Sequence, residues 1–198
     1  NLDQVRFHAI HWTVNEVSNH EDTWIVGGQL NPVMHVGDVQ LQAGIGQYFY
    51  VNPDPIAQAA NSNSKLNVGL TQLALGNTNL LETATVSGKK TITGFRGAFN
   101  PTNVTLQATI PNALAGQPLR VFADYVQNWQ GASDDSHGVL AGMKLGNLKA
   151  RGDWAASAFY EYLGQEATMA AFSWSDFGLG GTNLQGPVFR LDYQLLDP

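Results

Sequence analysis

The chain has 198 residues, a formal net charge of −6, only 13% charged residues against 43% apolar ones, and no cysteine. Disulfides, thiolate metal sites and a cysteine nucleophile are therefore excluded, and an acidic chain without any Lys/Arg cluster lacks the cationic face that nucleic acid requires. No apolar run approaches the roughly 18–20 residues of a transmembrane helix, which leaves open a barrel, whose strands need only about 9–11.

The chain opens at Asn1 with strand-like sequence and has neither an initiator Met nor a signal peptide. This fits a mature chain or a piece of a longer one, and a fragment is the expectation. Period-two alternation is clear at 39–45, where Val39, Leu41, Ala43 and Ile45 oppose Gln40, Gln42 and Gly44. Residues 52–92, with Asn-Pro-Asp-Pro and Asn-Ser-Asn-Ser inside them, read as the longest irregular stretch. At 103–110, Val104, Leu106, Ala108 and Ile110 oppose Thr105, Gln107 and Thr109. At 119–129, Leu119, Val121, Ala123, Tyr125 and Trp129 oppose Arg120, Phe122, Asp124 and Asn128. A polar loop at 130–137 leads to 138–145, where Val139, Ala141, Met143 and Leu145 oppose Gly142 and Lys144. After a short turn at 147–152, Trp154, Ala156, Ala158, Tyr160 and Tyr162 oppose Ser157 and Glu161. Near the end, Phe189, Leu191, Tyr193 and Leu195 oppose Arg190, Asp192 and Gln194.

About nine or ten strands follow from the turn signals, several longer than the usual strand of about 5–6 residues. Short turns alternate with longer loops, the layout of bacterial outer-membrane barrels. The charges fall on one side of their strands: Arg120, Asp124, Lys144, Glu161, Arg190 and Asp192 are the candidate lumen residues. A watery lumen tolerates charge, whereas a lipid-facing Lys or Arg near the midplane costs about 2–4 kcal/mol. Tyr125, Trp129, Trp154, Tyr160, Tyr162 and Tyr193 cluster at the ends of the apolar faces, where aromatic rings rest at the lipid headgroups. The fold class expected is all-β: an antiparallel up-and-down transmembrane barrel, in one domain over residues 1–198. Periodicity alone also fits a soluble secreted β-sandwich that stacks sugars on Trp154, Tyr160 and Tyr162, or a plugged structural barrel that holds a partner on its 52–92 loop.

A family resemblance enters between 118 and 195. Pro-Leu-Arg-Val-Phe-Ala-Asp-Tyr-Val-Gln-Asn-Trp at 118–129 is followed by Asp134 and Asp135, Gly-Met-Lys-Leu-Gly at 142–146, and Lys-Ala-Arg-Gly-Asp-Trp at 149–154. Then come Phe-Tyr-Glu-Tyr at 159–162, Ser-Asp-Phe-Gly-Leu-Gly-Gly-Thr-Asn at 175–183, Gly186, and Tyr-Gln-Leu-Leu-Asp at 193–197. This order resembles the C-terminal part of the "putative porin" family of Gram-negative bacteria; residues 1–117 share only its general style. The resemblance implies an outer-membrane barrel, in contact with outer-membrane lipid, that passes small hydrophilic solutes. It supplies no catalytic residue and no cofactor. Porins are often trimers, so a homotrimer is an assembly it allows. Family members run on into a further aromatic strand, which implies strands beyond this sequence or a second chain that completes the barrel.

Other patterns carry less. Asp176-Phe177-Gly178 spells a kinase signature without its companion motifs, so a glycine-rich turn is expected. His8 and His11 are three apart and face opposite sides of a strand. His20, Glu21 and Asp22 read as a surface loop, and so does the Ser-Asp-Asp-Ser stretch at 133–136, which lacks the further acidic residues of a calcium loop. The sequon at Asn103 carries no meaning in an outer membrane, and Gly44-Ile45-Gly46 lacks the strand–helix context of a dinucleotide site. No metal and no catalytic residue is expected.

Overall fold

The computed structural model describes residues 2–15, 22–61, 78–173, 177 and 180–196. Its body is one antiparallel sheet of eight strands in the order β1-β2-β3-β6-β7-β8-β9-β10, where β1 is Leu2–Asn15, β2 Thr23–Val36, β3 Val39–Val51, β6 Pro101–Leu114, β7 Gln117–Asn128, β8 His137–Gly146, β9 Trp154–Leu163 and β10 Leu184–Tyr193. Each strand pairs with its neighbour in the meander. The periodic segments read from the sequence lie within or across these strands, most of which run longer at one or both ends. Among the described residues β1 and β10 remain the two edges of the sheet, and no closed barrel forms.

The links between strands differ sharply at the two ends. At one end β2 meets β3 through Gly37 and Asp38, and β6 meets β7 through Ala115 and Gly116. Ala115 (φ 50°) and Gly116 (φ 77°) are both left-handed, the turn geometry whose twist matches that of a two-residue hairpin. The β8–β9 turn lies at this end too. Asp153 accepts there from the backbone N–H of Lys149 (2.8 Å) and Ala150 (2.9 Å). The β3–β6, β7–β8 and β9–β10 links at the opposite end are longer.

The longest of these, between β3 and β6, is where the structure corrects the sequence reading. Residues 52–92 were expected to be irregular, yet they hold a short helix, α1 (Asp54–Gln58), and most of a hairpin of β4 (Leu81–Val86) and β5 (Lys89–Phe95). Lys89 and Lys90 hide that strand by giving it the polarity of a loop. Its apolar residues, Leu81, Ile92 and Phe95, pack on Ile56 and Ala57 of α1, on Phe99, and on Met169 from the β9–β10 loop. This is the described hydrophobic core, and it sits beyond the sheet at the long-loop end.

Buried polar side chains bind that end together. Glu166 is fully buried and accepts from the N–H of Leu80 (2.6 Å) and of Ala132 (3.2 Å). Asn79 donates to the carbonyls of Gln165 and Thr168 and accepts from the N–H of Ala170. The β3–β6, β7–β8 and β9–β10 links thus form one cap. A backbone donor or acceptor buried there without a partner would cost about 1–3 kcal/mol, so these side chains stand in for a regular ladder. The Asn-Ser-Asn-Ser stretch beyond Asn61, His20 and Glu21, and Asp176 and Gly178 of the kinase-like triplet lie outside the described residues.

Candidate functional site

The sheet is inverted relative to a soluble protein. On β7 the apolar face of Val121, Ala123 and Tyr125 is exposed, while on the opposite face Arg120 is exposed and Phe122, Asp124 and Val126 are half-buried. The same alternation leaves Phe7 of β1, Leu106 of β6, Met143 of β8 and Leu191 of β10 exposed, and Phe189 is 78% exposed. A monomeric soluble chain rarely exposes so large an apolar surface. The two-sheet stack of a sandwich is not formed among the described residues, since the second sheet is only the β4–β5 hairpin. Residues on the other face, from β1 to β9, surround one hollow of about 780 Å³, so the sheet curls with its polar face inside. No helix among the described residues is long and apolar enough to cross a membrane.

Four of the six charged residues singled out in the sequence, Arg120, Asp124, Lys144 and Glu161, line this hollow. The other two, Arg190 and Asp192, line an adjoining hollow with Lys144, Phe122 and Phe159, and are ion-paired at 2.8 Å. Pairing register orders them further. Arg120 stands opposite Lys144, Lys144 opposite Ser157, and Ser157 opposite Arg190, a basic row across β7 to β10. Asp124 stands opposite Leu140, and Leu140 opposite Glu161, an acidic row. Between them Phe122 and Phe159 approach to 6.3 Å between ring centroids. Gly142 separates the two in register and leaves room for Phe159, which a Cβ at that position would strike.

The sequence reading missed several polar residues of the same hollow, among them Gln4, Arg6 and His8 of β1 and Gln42 of β3. For β3 the alternation around Gln42 carried the signal. For β1 the apolar face is interrupted by His11 and Thr13, which blurs the period.

The six aromatics divide between the two ends. Trp154 and Tyr193 face each other in register at the short-turn end, both exposed. Tyr125, Tyr160 and Trp129 are exposed toward the cap, and the Trp129 indole N–H donates to Thr102 Oγ1 at 2.7 Å. Tyr162 is half-buried, donates its hydroxyl to Asp135 and packs against His137. Asp135 also accepts from the N–H of Gln165 at 2.8 Å, so Tyr162 ties β9 to the cap. Among the described residues no cluster of His, Asp and Glu suits a metal ion.

An antiparallel meander with apolar residues outside and charges around an inner hollow has the polarity of a membrane β-barrel wall. The sequence model of the putative porin family matches residues 7–197, and the chain belongs to that family. The match reaches well before the 118–195 stretch that carries the sequence resemblance. No curated protein and no solved structure matches the chain.

Proposed function

We propose that this chain forms wall and mouth of a water-filled channel in the bacterial outer membrane, through which small hydrophilic solutes diffuse passively. The observation that carries the reading is the inverted sheet: Arg120, Asp124, Lys144 and Glu161 converge on one hollow while the opposite face exposes residues such as Phe7, Met143 and Phe189. Lipid accepts a sheet only when its backbone groups are paired, so the edges of β1 and β10 require further strands or a second chain to close the wall. The six charged residues act as a field that sets selectivity, and the exposed aromatics seat the wall at the two headgroup levels. Both signs of charge are present, so selectivity between simple anions and cations is mild.

The packed cap favours one second reading, a plugged barrel that scaffolds a partner. Phe172 of the β9–β10 loop stacks on Tyr50 of β3 and packs on Trp12 of β1, so the cap is tied to the strand ends beneath it. One experiment separates the two: extract the native full-length protein and record it in a planar bilayer. Detergent-dependent extraction with stepwise ohmic currents supports the channel. Extraction in detergent without current supports the plugged barrel, and solubility in plain buffer overturns both.

A further inference from the structure

We propose that the inner hollow holds a binding site for an extended zwitterion, of the size of a short peptide, with its carboxylate at Arg120 and Lys144 and its ammonium at Asp124 and Glu161. This rests on the channel reading and names its solute class.

Arg120 and Lys144 stand directly opposite each other on adjacent strands. Like charges so placed repel, and among the described residues neither forms an ion pair. The nearest cation in that row, Arg190, already has Asp192. An anionic group entering between Arg120 and Lys144 relieves their repulsion and gains charge-assisted hydrogen bonds, with Arg able to bind a carboxylate in a bidentate manner.

The acidic row is unfinished in the opposite sense. Asp124 accepts one bond, from the Asn103 amide at 2.6 Å. Glu161 is only 9% exposed, lines the hollow, and its Oε2 has no hydrogen-bond partner. A buried carboxylate oxygen left without a donor is destabilising, and an ammonium, with three N–H donors, satisfies it. Arg6 reaches the same hollow from β1, where its guanidinium donates to Gln4 Oε1 at 2.9 Å.

Spacing sets the ligand. Arg120 and Asp124 are four residues apart on one strand, about 13 Å of backbone, and the inward reach of the side chains shortens the gap between charges. A tripeptide spans about 10 Å end to end. Its middle residue then lies over Phe122, which is backed by Phe159, an apolar step that a simple ion does not use.

The test is calorimetric titration of Ala-Phe-Ala into the detergent-solubilised full-length protein, beside the same peptide acetylated and amidated, with bilayer recordings of peptide-induced current block in parallel. The free peptide is expected to bind at least tenfold more tightly than the capped one. Both Asp124→Asn with Glu161→Gln, and Arg120→Gln with Lys144→Gln, should remove that preference while thermal melting confirms the fold. Equal binding of the two peptides, or a preference that survives either double variant, overturns the site. Calorimetry needs no current, so the two readings fail separately: binding without conductance sinks the channel and keeps the site, and conductance without binding does the reverse.

Discussion

The side-chain amide of Asn128, at the end of β7, donates to the main-chain carbonyl of Glu166 in the β9–β10 loop at 2.9 Å. The same amide donates to Ala98 at 3.0 Å, and its oxygen accepts from the N–H of Asn100 at 2.9 Å. One buried side chain therefore ties the end of β7 to two links of the cap. Asn128→Ala is expected to lower stability by about 2–3 kcal/mol, since it strands several buried backbone groups at once. Glu166→Ala should cost about 3 kcal/mol, because it leaves the N–H groups of Leu80 and Ala132 without their acceptor. Thermal melting in detergent checks both; a change within about 0.5 kcal/mol would show that the cap is not held this way.

Leu106 and Gln107 are neighbours on β6 whose side chains point to opposite faces. Leu106 is 56% exposed, whereas Gln107 is half-buried and donates to Gln42 at 3.1 Å. With lipid on the Leu106 side, Leu106→Arg should cost about 2–4 kcal/mol and reduce assembly into the membrane, while Gln107→Arg is tolerated. The heat-dependent shift in gel mobility that folded barrels give measures assembly. If the two variants assemble equally well, the assignment of faces is wrong.

That assignment was legible in the sequence wherever alternation was strict, as at Val121, Ala123 and Tyr125 against Phe122 and Asp124. Alternation assigns a residue to a face but says nothing of its neighbours across strands. The opposition of Arg120 to Lys144 appears only once register is known, because a shift of one residue reverses the faces. The cap was illegible for a different reason. Its core joins residues as distant in sequence as Ile56 and Met169, and its polar ties, such as Glu166 to the N–H of Leu80, follow no local spacing. The β4–β5 hairpin was hidden likewise, with two lysines and only a few apolar residues that face α1. Tyr162 read as one more interfacial ring, but its hydroxyl has a specific acceptor in Asp135, a partner that periodicity cannot reveal.

Arg120 and Arg190 lie on the face that carries the hollows, in the basic row. Reversing both to Glu replaces two cations of that wall with anions, which raises the local concentration of cations in the lumen. The double variant should shift the channel toward cations, read as a displaced reversal potential under a salt gradient. Screening shortens the reach of these charges to about 10 Å at 0.1 M salt, so the shift should shrink as salt rises. A reversal potential unchanged at low salt would remove these residues from the lumen.

At the short-turn end, Asp153 closes the β8–β9 turn in open solvent. The backbone N–H groups of Lys149 and Ala150 both bind its carboxylate and hold its pKa below the ordinary aspartate value; the nearby Lys149 charge acts in the same direction. A carboxyl depressed in the folded state stabilises the fold above its unfolded pKa, near 3.9, and loses that contribution as pH falls through the lower folded value. The turn is also tied to the next strand end, because Gly152 donates to the Gln194 carbonyl at 2.9 Å and Gln194 donates to that of Asp153 at 2.8 Å. Acidification below about pH 4 should therefore speed hydrogen exchange at the amides of Lys149 and Ala150 before it disturbs the sheet, relative to the intrinsic rate at each pH. Asp153→Asn should show fast exchange there at neutral pH and little further acid response. Protection at these two amides that stays constant from neutral pH to pH 3, or that survives in the Asn variant, would mean that the carboxylate does not hold the turn.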